Sequence, residues 1–215
     1  MEVVGLLREL DRRATLEDAG IPVHSLGMSR GKMSPKAVWT LRQHIRRFRP
    51  DVVHAHMVHA NLLTRVTRLL APIPRLITSA HNVYEGARWR YIAYRLTERL
   101  TDLTTNVSEA AVNRSIELGA APEARVRFMP NGIDLERFQR SVERRERARK
   151  ELGVEDEFVW LAVGSFEEQK DYPNLLGAVQ RLSSMGVEAT VFVAGSGPLF
   201  EDIAHRVNEM GLSDA

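Results

Sequence analysis

The feature that most restricts this chain is a regular exchange, along its whole length, of short apolar runs for longer amphipathic stretches. Apolar runs occupy 2–7 (EVVGLL), 21–26 (IPVHSL), 51–57 (DVVHAHM), 75–80 (RLITSA), 102–107 (DLTTNV), 125–129 (RVRFM), 158–163 (FVWLAV) and 189–194 (ATVFVA), and they read as strands. The stretches at 35–48, 60–70, 87–100, 109–118, 143–152, 174–185 and 199–210 repeat their apolar residues at helical spacing. Strands that alternate with helices in this way form parallel sheets covered on both faces. The expected class is therefore α/β. In the clearest helix, 35–48, Ser34 is expected to cap the start and Pro35 to take the first position. Val38, Leu41, Ile45 and Phe48 are expected on its buried face. Gly119, Gly153, Gly186 and Gly211 stand just past helix ends, where left-handed stops belong.

A chain of 215 residues allows one large domain or two small ones. Charge favours two. Residues 1–140 hold 22 Lys and Arg against 14 Asp and Glu, a balance of +8, whereas residues 141–215 hold 8 against 14, a balance of −6. Composition also shifts near 134–145, where the turn Asn131-Gly132 gives way to the charged run SVERRERARKE. The expected units are 1–140 and 141–215. In that run Arg144, Arg145, Arg147 and Arg149 interleave with Glu143, Glu146 and Glu151, the pattern of a solvated helix rather than a nucleic-acid surface. No cysteine is present, which excludes a disulfide framework and a thiolate metal site and suits a reducing cytoplasm. No apolar run approaches the roughly 18 residues of a membrane span.

In open parallel sheets, ligands bind beyond the carboxyl ends of the strands, so the loops after the strands are where chemistry is expected. The run 51–57 carries His54 and His56 and the loop after it His59, spaced H-x-H-x-x-H. Imidazoles two apart on a strand share a face, and a third would complete a metal site. The spacing resembles part of the H-x-H-x-D-H motif of metallo-β-lactamase-type hydrolases, with Val58 in place of its Asp. Histidines held by hydrogen bonds at a strand end are the plainer reading. His81 ends the run RLITSA at the mouth of the sheet, where it can meet a substrate hydroxyl or a developing charge. Lys170 lies in GSFEEQKD after a strand, where a lysine neutralises a phosphate as a point charge. Gly195-Ser196-Gly197-Pro198 follows another strand and opens a helix, so its amides can face an anion.

Each signal is weak alone, but their order is specific. DVVHAHMVHANLLTRV, ITSAHNVYEG, TTNVSEA, PNGIDLERF, LAVGSFEEQKDYPNLLGAV and VFVAGSGPLFEDI together resemble the family 4 glycosyltransferases of the GT-B fold, from about residue 18 to the end. The resemblance implies a Rossmann-like acceptor-side domain over 1–140, followed by the start of a nucleotide-sugar-binding domain over 141–215. It implies a retaining transfer of sugar from a nucleotide diphosphate to a glycan or lipid-linked acceptor, as in bacterial exopolysaccharide or lipopolysaccharide assembly. By the same resemblance His81 is the catalytic histidine near the reacting carbon. Lys170, with Gly164 and Ser165, binds the donor diphosphate, Gly195 and Gly197 form the second glycine turn, and Asn131 and Gly132 belong to the segment between domains. No metal or other cofactor is expected, because a lysine at the diphosphate can stabilise the leaving group. A basic first unit suits an anionic membrane surface at the inner face of the plasma membrane, with Arg88, Arg90, Arg95 and Arg99 beside Trp89, Tyr91 and Tyr94 as its face.

The sequence departs from the family in three places. Ser165 stands where the family usually has a second diphosphate cation, Arg. The later strands and the E-x7-E carboxylates would lie beyond Ala215, and Glu2–Leu7 resembles a second strand rather than a first. The chain is thus expected to be incomplete at both ends and inactive alone. A non-catalytic sugar-nucleotide-binding module and a metallohydrolase built on His54, His56 and His59 are the alternatives.

Overall fold

Every strand pairing in the computed structural model is parallel. The structure describes residues 1–8, 12–29, 34–82, 87–154 and 156–213. The chain divides into two compact units, Met1–Ile133 and Asp134–Ala215.

In the first unit, β1 (Val3–Leu7) pairs with β2 (Val23–Met28), and β3 (Val52–His56), β4 (Arg75–Ala80), β5 (Leu103–Asn106) and β6 (Val126–Phe128) form a four-stranded sheet in sequence order. Helices α3 (Val58–Arg68), α4 (Arg88–Thr97) and α5 (Glu109–Glu117) make the crossovers that parallel strands need, and α2 (Pro35–Phe48) leads from the two-stranded pair to the four-stranded sheet. A short helix, α1 (Arg13–Asp18), joins β1 to β2. The sequence pattern does not announce it, since it buries no residue and carries only an exposed Arg13–Glu17 pair.

The main core of this unit sets Ala37, Leu41 and Ile45 of α2 against Met28, Leu63, Ala71, Ile73 and Leu76. Leu63 and Leu76 are fully buried, each contributing about 1.5–3 kcal/mol by removal from water. Two expectations for α2 are corrected. Phe48 is 42% exposed, because the helix turns its last residue off the core face, and Ala37 takes the buried place instead. Ser34 occupies the N-cap position, but its side chain makes no capping bond; its carbonyl accepts from Ala37 and Val38.

A second cluster joins Val58 and Leu62 of α3 to Tyr94 of α4 and Ala120. Beside it Arg65 is completely buried, a position the sequence gives no reason to expect for an arginine. Its guanidinium donates to the Tyr94 carbonyl, Thr97 Oγ1, Thr78 Oγ1 and Thr104 Oγ1, at 2.8–3.3 Å, and lies over the Tyr94 ring. Burial lowers its pKa to about 10, against the attraction of Tyr94 and Glu98. One side chain thus ties α3, β4, α4 and β5 together.

In the second unit, the solvated helix α6 (Val142–Glu151) buries nothing, as its charge pattern predicts. Ser141 caps it by accepting from Arg144 N, and the Arg144 guanidinium turns back to the carbonyls of Arg137 and Gln139. Strands β7 (Val159–Val163) and β8 (Thr190–Ala194) pair in parallel, and α7 (Tyr172–Ser184) and α8 (Phe200–Glu209) pack together with Val191 of β8, while Trp160, Leu161 and Val163 of β7 stay exposed. The core here is Phe166, Tyr172, Leu176, Val179, Ile203 and Leu212. The four glycines read as helix stops all take positive φ, between 63° and 73°. No helix among the described residues is long and apolar enough to cross a membrane.

Candidate active site

In the first unit the chemistry gathers at the carboxyl ends of β3, β4 and β5. The parallel register sets His54 beside Ile77, His56 beside Ser79, and Ser79 beside Thr105. A polar chain follows from it. His54 Nε2 lies 2.6 Å from Ser79 Oγ, and Ser79 Oγ lies 2.5 Å from Thr105 Oγ1. Alongside, His56 Nδ1 lies 3.0 Å from His81 Nε2, the ring centroids 5.3 Å apart. Burial, and then the charge of His81, push His54 below the usual histidine range; burial, His54 and His81 do the same to His56. Neutral imidazoles at a sheet mouth can each donate and accept, which suits orientation of a hydroxylated substrate.

The turn that follows His56 is strained. Met57, between β3 and α3, has φ +73° and ψ 155°, a conformation nearly confined to glycine that costs about 1–3 kcal/mol. Two backbone bonds hold it: Met57 N donates to Ser79 O at 3.0 Å, and Asn61 N donates to Met57 O at 2.9 Å. Buried Asn61 also donates its amide to Ser79 O and Tyr94 Oη. Strain fixed this firmly at a strand end makes the turn a candidate functional position.

The structure therefore brings His54, His56 and His81 together, but not His59. His59 sits in the first turn of α3, and the ligand nitrogens of His54, His56 and His59 do not converge to coordination distance. This removes the basis of the metallohydrolase reading. The partnership of His56 with His81 is not legible in the sequence, since the two stand 25 residues apart and meet only through the pairing of β3 with β4. In the HNVYEG loop after His81, 83–86 lie outside the described residues.

In the second unit the two glycine turns run side by side. Gly164 N donates to Ala194 O, and Phe166 N to Ser196 O, each at 3.0 Å. The approach leaves no room for a side chain. A Cβ on Gly195 would stand 1.8 Å from the Gly164 carbonyl oxygen, and one on Gly197 would stand 2.6 Å from the Phe166 carbonyl oxygen. Those glycines are thus required by backbone packing, whatever ligand they also meet. Lys170 ends a short 3-10 turn, Glu168–Lys170, and its aliphatic stem passes within 3.7 Å of a Cβ placed on Gly164. The residue as a whole is exposed. Half-buried Ser165 accepts at its carbonyl from Glu167 N.

The sequence reading missed what holds this loop. Buried Tyr172 donates from its hydroxyl to Gly164 O at 2.9 Å and stacks on Phe166, with Phe200 edge-on to Phe166. Asn131 and Gly132, near the end of the first unit, are exposed and outside regular structure.

The sequence profile of Glycosyltransferase Family 4 matches residues 2–137. Over 185 residues the chain is 24% identical to the UDP-Gal:alpha-D-GlcNAc-diphosphoundecaprenol alpha-1,3-galactosyltransferase of Escherichia coli, covering 80% of this chain and 47% of that protein. Over 143 residues it is 23% identical to the GDP-mannose-dependent alpha-(1-6)-phosphatidylinositol monomannoside mannosyltransferase of Mycolicibacterium smegmatis, covering 65% of this chain and 37% of that one. The chain spans less than half the length of either relative. Among solved structures, Anabaena Alr3699/HepE in complex with UDP and glucose matches with a TM-score of 0.82 and 19% identity, over 99% of this chain and 59% of that one. The shared architecture is the parallel α/β GT-B type that the ordered motifs imply.

Proposed function

This chain belongs to Glycosyltransferase Family 4, and on that premise we propose that it transfers a sugar from a nucleotide diphosphate to a glycan or lipid-linked acceptor. The observation that carries the proposal is the seating of Lys170 against Gly164, beside the paired glycine turns. A cation on an exposed residue whose stem lies beside that glycine suits the diphosphate that must leave as the anomeric bond breaks. Lys170 supplies that charge without a metal. His81, steadied by His56, binds the donor sugar near its reacting carbon. The acceptor oxygen bonds to that carbon on the face the diphosphate leaves, its proton passing to the departing phosphate oxygen, so configuration is retained.

The names of the relatives support the partner classes: UDP- and GDP-linked sugars as donors, and lipid-linked acceptors. A place in cell-surface polysaccharide assembly, at the inner face of the plasma membrane, follows from that acceptor class. Helix α4 supports it too. It exposes Trp89, Ile92 and Leu96 in one stripe, with Arg88 and Arg95 also exposed, whereas Tyr94 is buried in the core and not part of a membrane face.

The test is transfer of labelled sugar from UDP- and GDP-sugars to a polyprenyl-diphosphate-linked glycan by the protein carrying this chain. Turnover lost in His81→Ala and Lys170→Ala is expected. Turnover indifferent to both would overturn the assignment of these residues. Co-sedimentation with liposomes should rise with anionic lipid content and fall in an Arg88→Gln/Arg95→Gln variant.

A further inference from the structure

At the amino ends of β1 and β2, three ligand side chains from three segments meet. Glu2 immediately precedes β1, His24 is the second residue of β2, and His44 lies toward the C-terminal end of α2. The β1–β2 register, Val3 beside Val23 and Val4 beside His24, brings Glu2 and His24 to one end of the pair. The antiparallel run of α2 brings His44 over it.

The three donor atoms lie close enough together for one ion to reach all of them, with Glu2 and His44 at ion-pair distance in its absence. Glu2 Oε2 lies 2.8 Å from His44 Nε2 and 3.6 Å from His24 Nε2, and all three donor atoms fall within 4.8 Å of one another. Ligands about 2.0–2.2 Å from a tetrahedral metal are about 3.4 Å apart, between the two measured values. Although Glu2 Oε2 and His44 Nε2 are close and sealed from solvent, neither makes a hydrogen bond among the described residues. Buried polar atoms without a hydrogen bond call for a further partner, and an ion between them is one. The His24 and His44 rings, with centroids 4.4 Å apart and tilted by 54°, are not stacked flat, so their edges can converge. His24 is about half exposed, which leaves one coordination position for water.

We propose that Glu2, His24 and His44 form a binding site for a first-row divalent cation of the zinc class. Two imidazoles and one carboxylate select such an ion over calcium or magnesium, which take oxygen ligands. The site clamps β1 and β2 to the end of α2, away from the histidines at the carboxyl ends of β3 and β4. Its role is to hold the fold, and it stands independently of the proposed sugar transfer. Because both imidazoles must be neutral to bind, acid competes with the metal.

The test uses the untagged 215-residue chain, stripped with chelator, then equilibrated with Zn2+ and assayed for bound metal and melting temperature. One Zn2+ per chain and a rise in melting temperature are expected. Glu2→Gln and His44→Ala should each weaken binding by at least roughly 10–100-fold and abolish the rise. A His54→Ala/His56→Ala variant should still bind. Loss of binding in that variant, retention in Glu2→Gln and His44→Ala, or no bound Zn2+ in the parent chain would each overturn the proposal. Circular dichroism of each stripped variant confirms that it is folded, and Co2+ absorption reports the tetrahedral geometry directly.

Discussion

His56 Nδ1 and His81 Nε2, 3.0 Å apart, hold a single proton between two neighbouring strands. One ring must donate and the other accept, so full protonation of both would set two N–H groups against each other.

Folding stability should therefore depend on pH near neutrality. His54 and His56 are both lowered from 6.5 by burial first and by neighbouring histidines second. Between their folded values and 6.5 the unfolded chain binds more protons, so stability rises with pH through that window. It is fully present above 6.5 and is lost as pH falls through the folded values. Urea midpoints at about pH 7.5 and about pH 5.5 check this. The parent chain should lose more stability on acidification than His56→Gln. Equal losses in the two would rule the histidine pair out as the cause.

Gly195→Ala should destabilise the second unit. Its new methyl would overlap the Gly164 carbonyl oxygen, and backbone on both sides must separate. Overpacking of this kind costs about 1–3 kcal/mol. Gly177→Ala is the control, since nothing lies within 4 Å of a Cβ there and the residue is within helix α7. That change should be neutral or stabilising by up to about 1 kcal/mol. A Gly195→Ala urea midpoint equal to the parent's would show that the turns part without strain.

Arg65→Ala should cost about 3–5 kcal/mol, through lost packing and through polar groups left without their partner. Arg65→Met keeps much of the volume but none of the bonds to Thr78, Thr104, Thr97 and Tyr94. It should recover about half of the loss, because the transfer and cavity contributions are restored while the bonding is not. If Arg65→Met were as damaging as Arg65→Ala, packing of the stem would count for nothing at this site.

Such residues show where the sequence stopped being legible. The strands and helices followed from apolar periodicity, which reports burial element by element, and Gly119 and Gly153 marked helix ends because each adopts a positive φ. Periodicity is blind to α1, whose six residues bury nothing, and to Arg65, whose charge disguises a core position. His81 and Lys170 were picked out by strand-end position and motif. Their supports, His56 and Tyr172, depend on strand register and on an aromatic stack that only the folded chain creates. The strain at Met57 has no sequence signal at all, because nothing about a methionine announces a glycine-like backbone.

The Lys170 loop gives the most direct test of the proposed donor site, because cation and anchor can be separated. Lys170→Ala removes the charge and leaves the anchor. A charge-assisted bond is worth about 1.5–3 kcal/mol, so nucleoside diphosphate affinity should fall roughly 10–100-fold. Tyr172→Phe removes only the bond to Gly164 O and keeps the stack on Phe166. It should lower stability by about 0.5–1.5 kcal/mol and weaken the ligand only a few-fold. Calorimetric titration of the protein with UDP and GDP at two salt concentrations reads both variants. Salt should weaken binding to the parent more than to Lys170→Ala, since screening acts on the charge that variant lacks. A Tyr172→Phe variant that binds as poorly as Lys170→Ala would shift the credit from the cation to the shape of the loop.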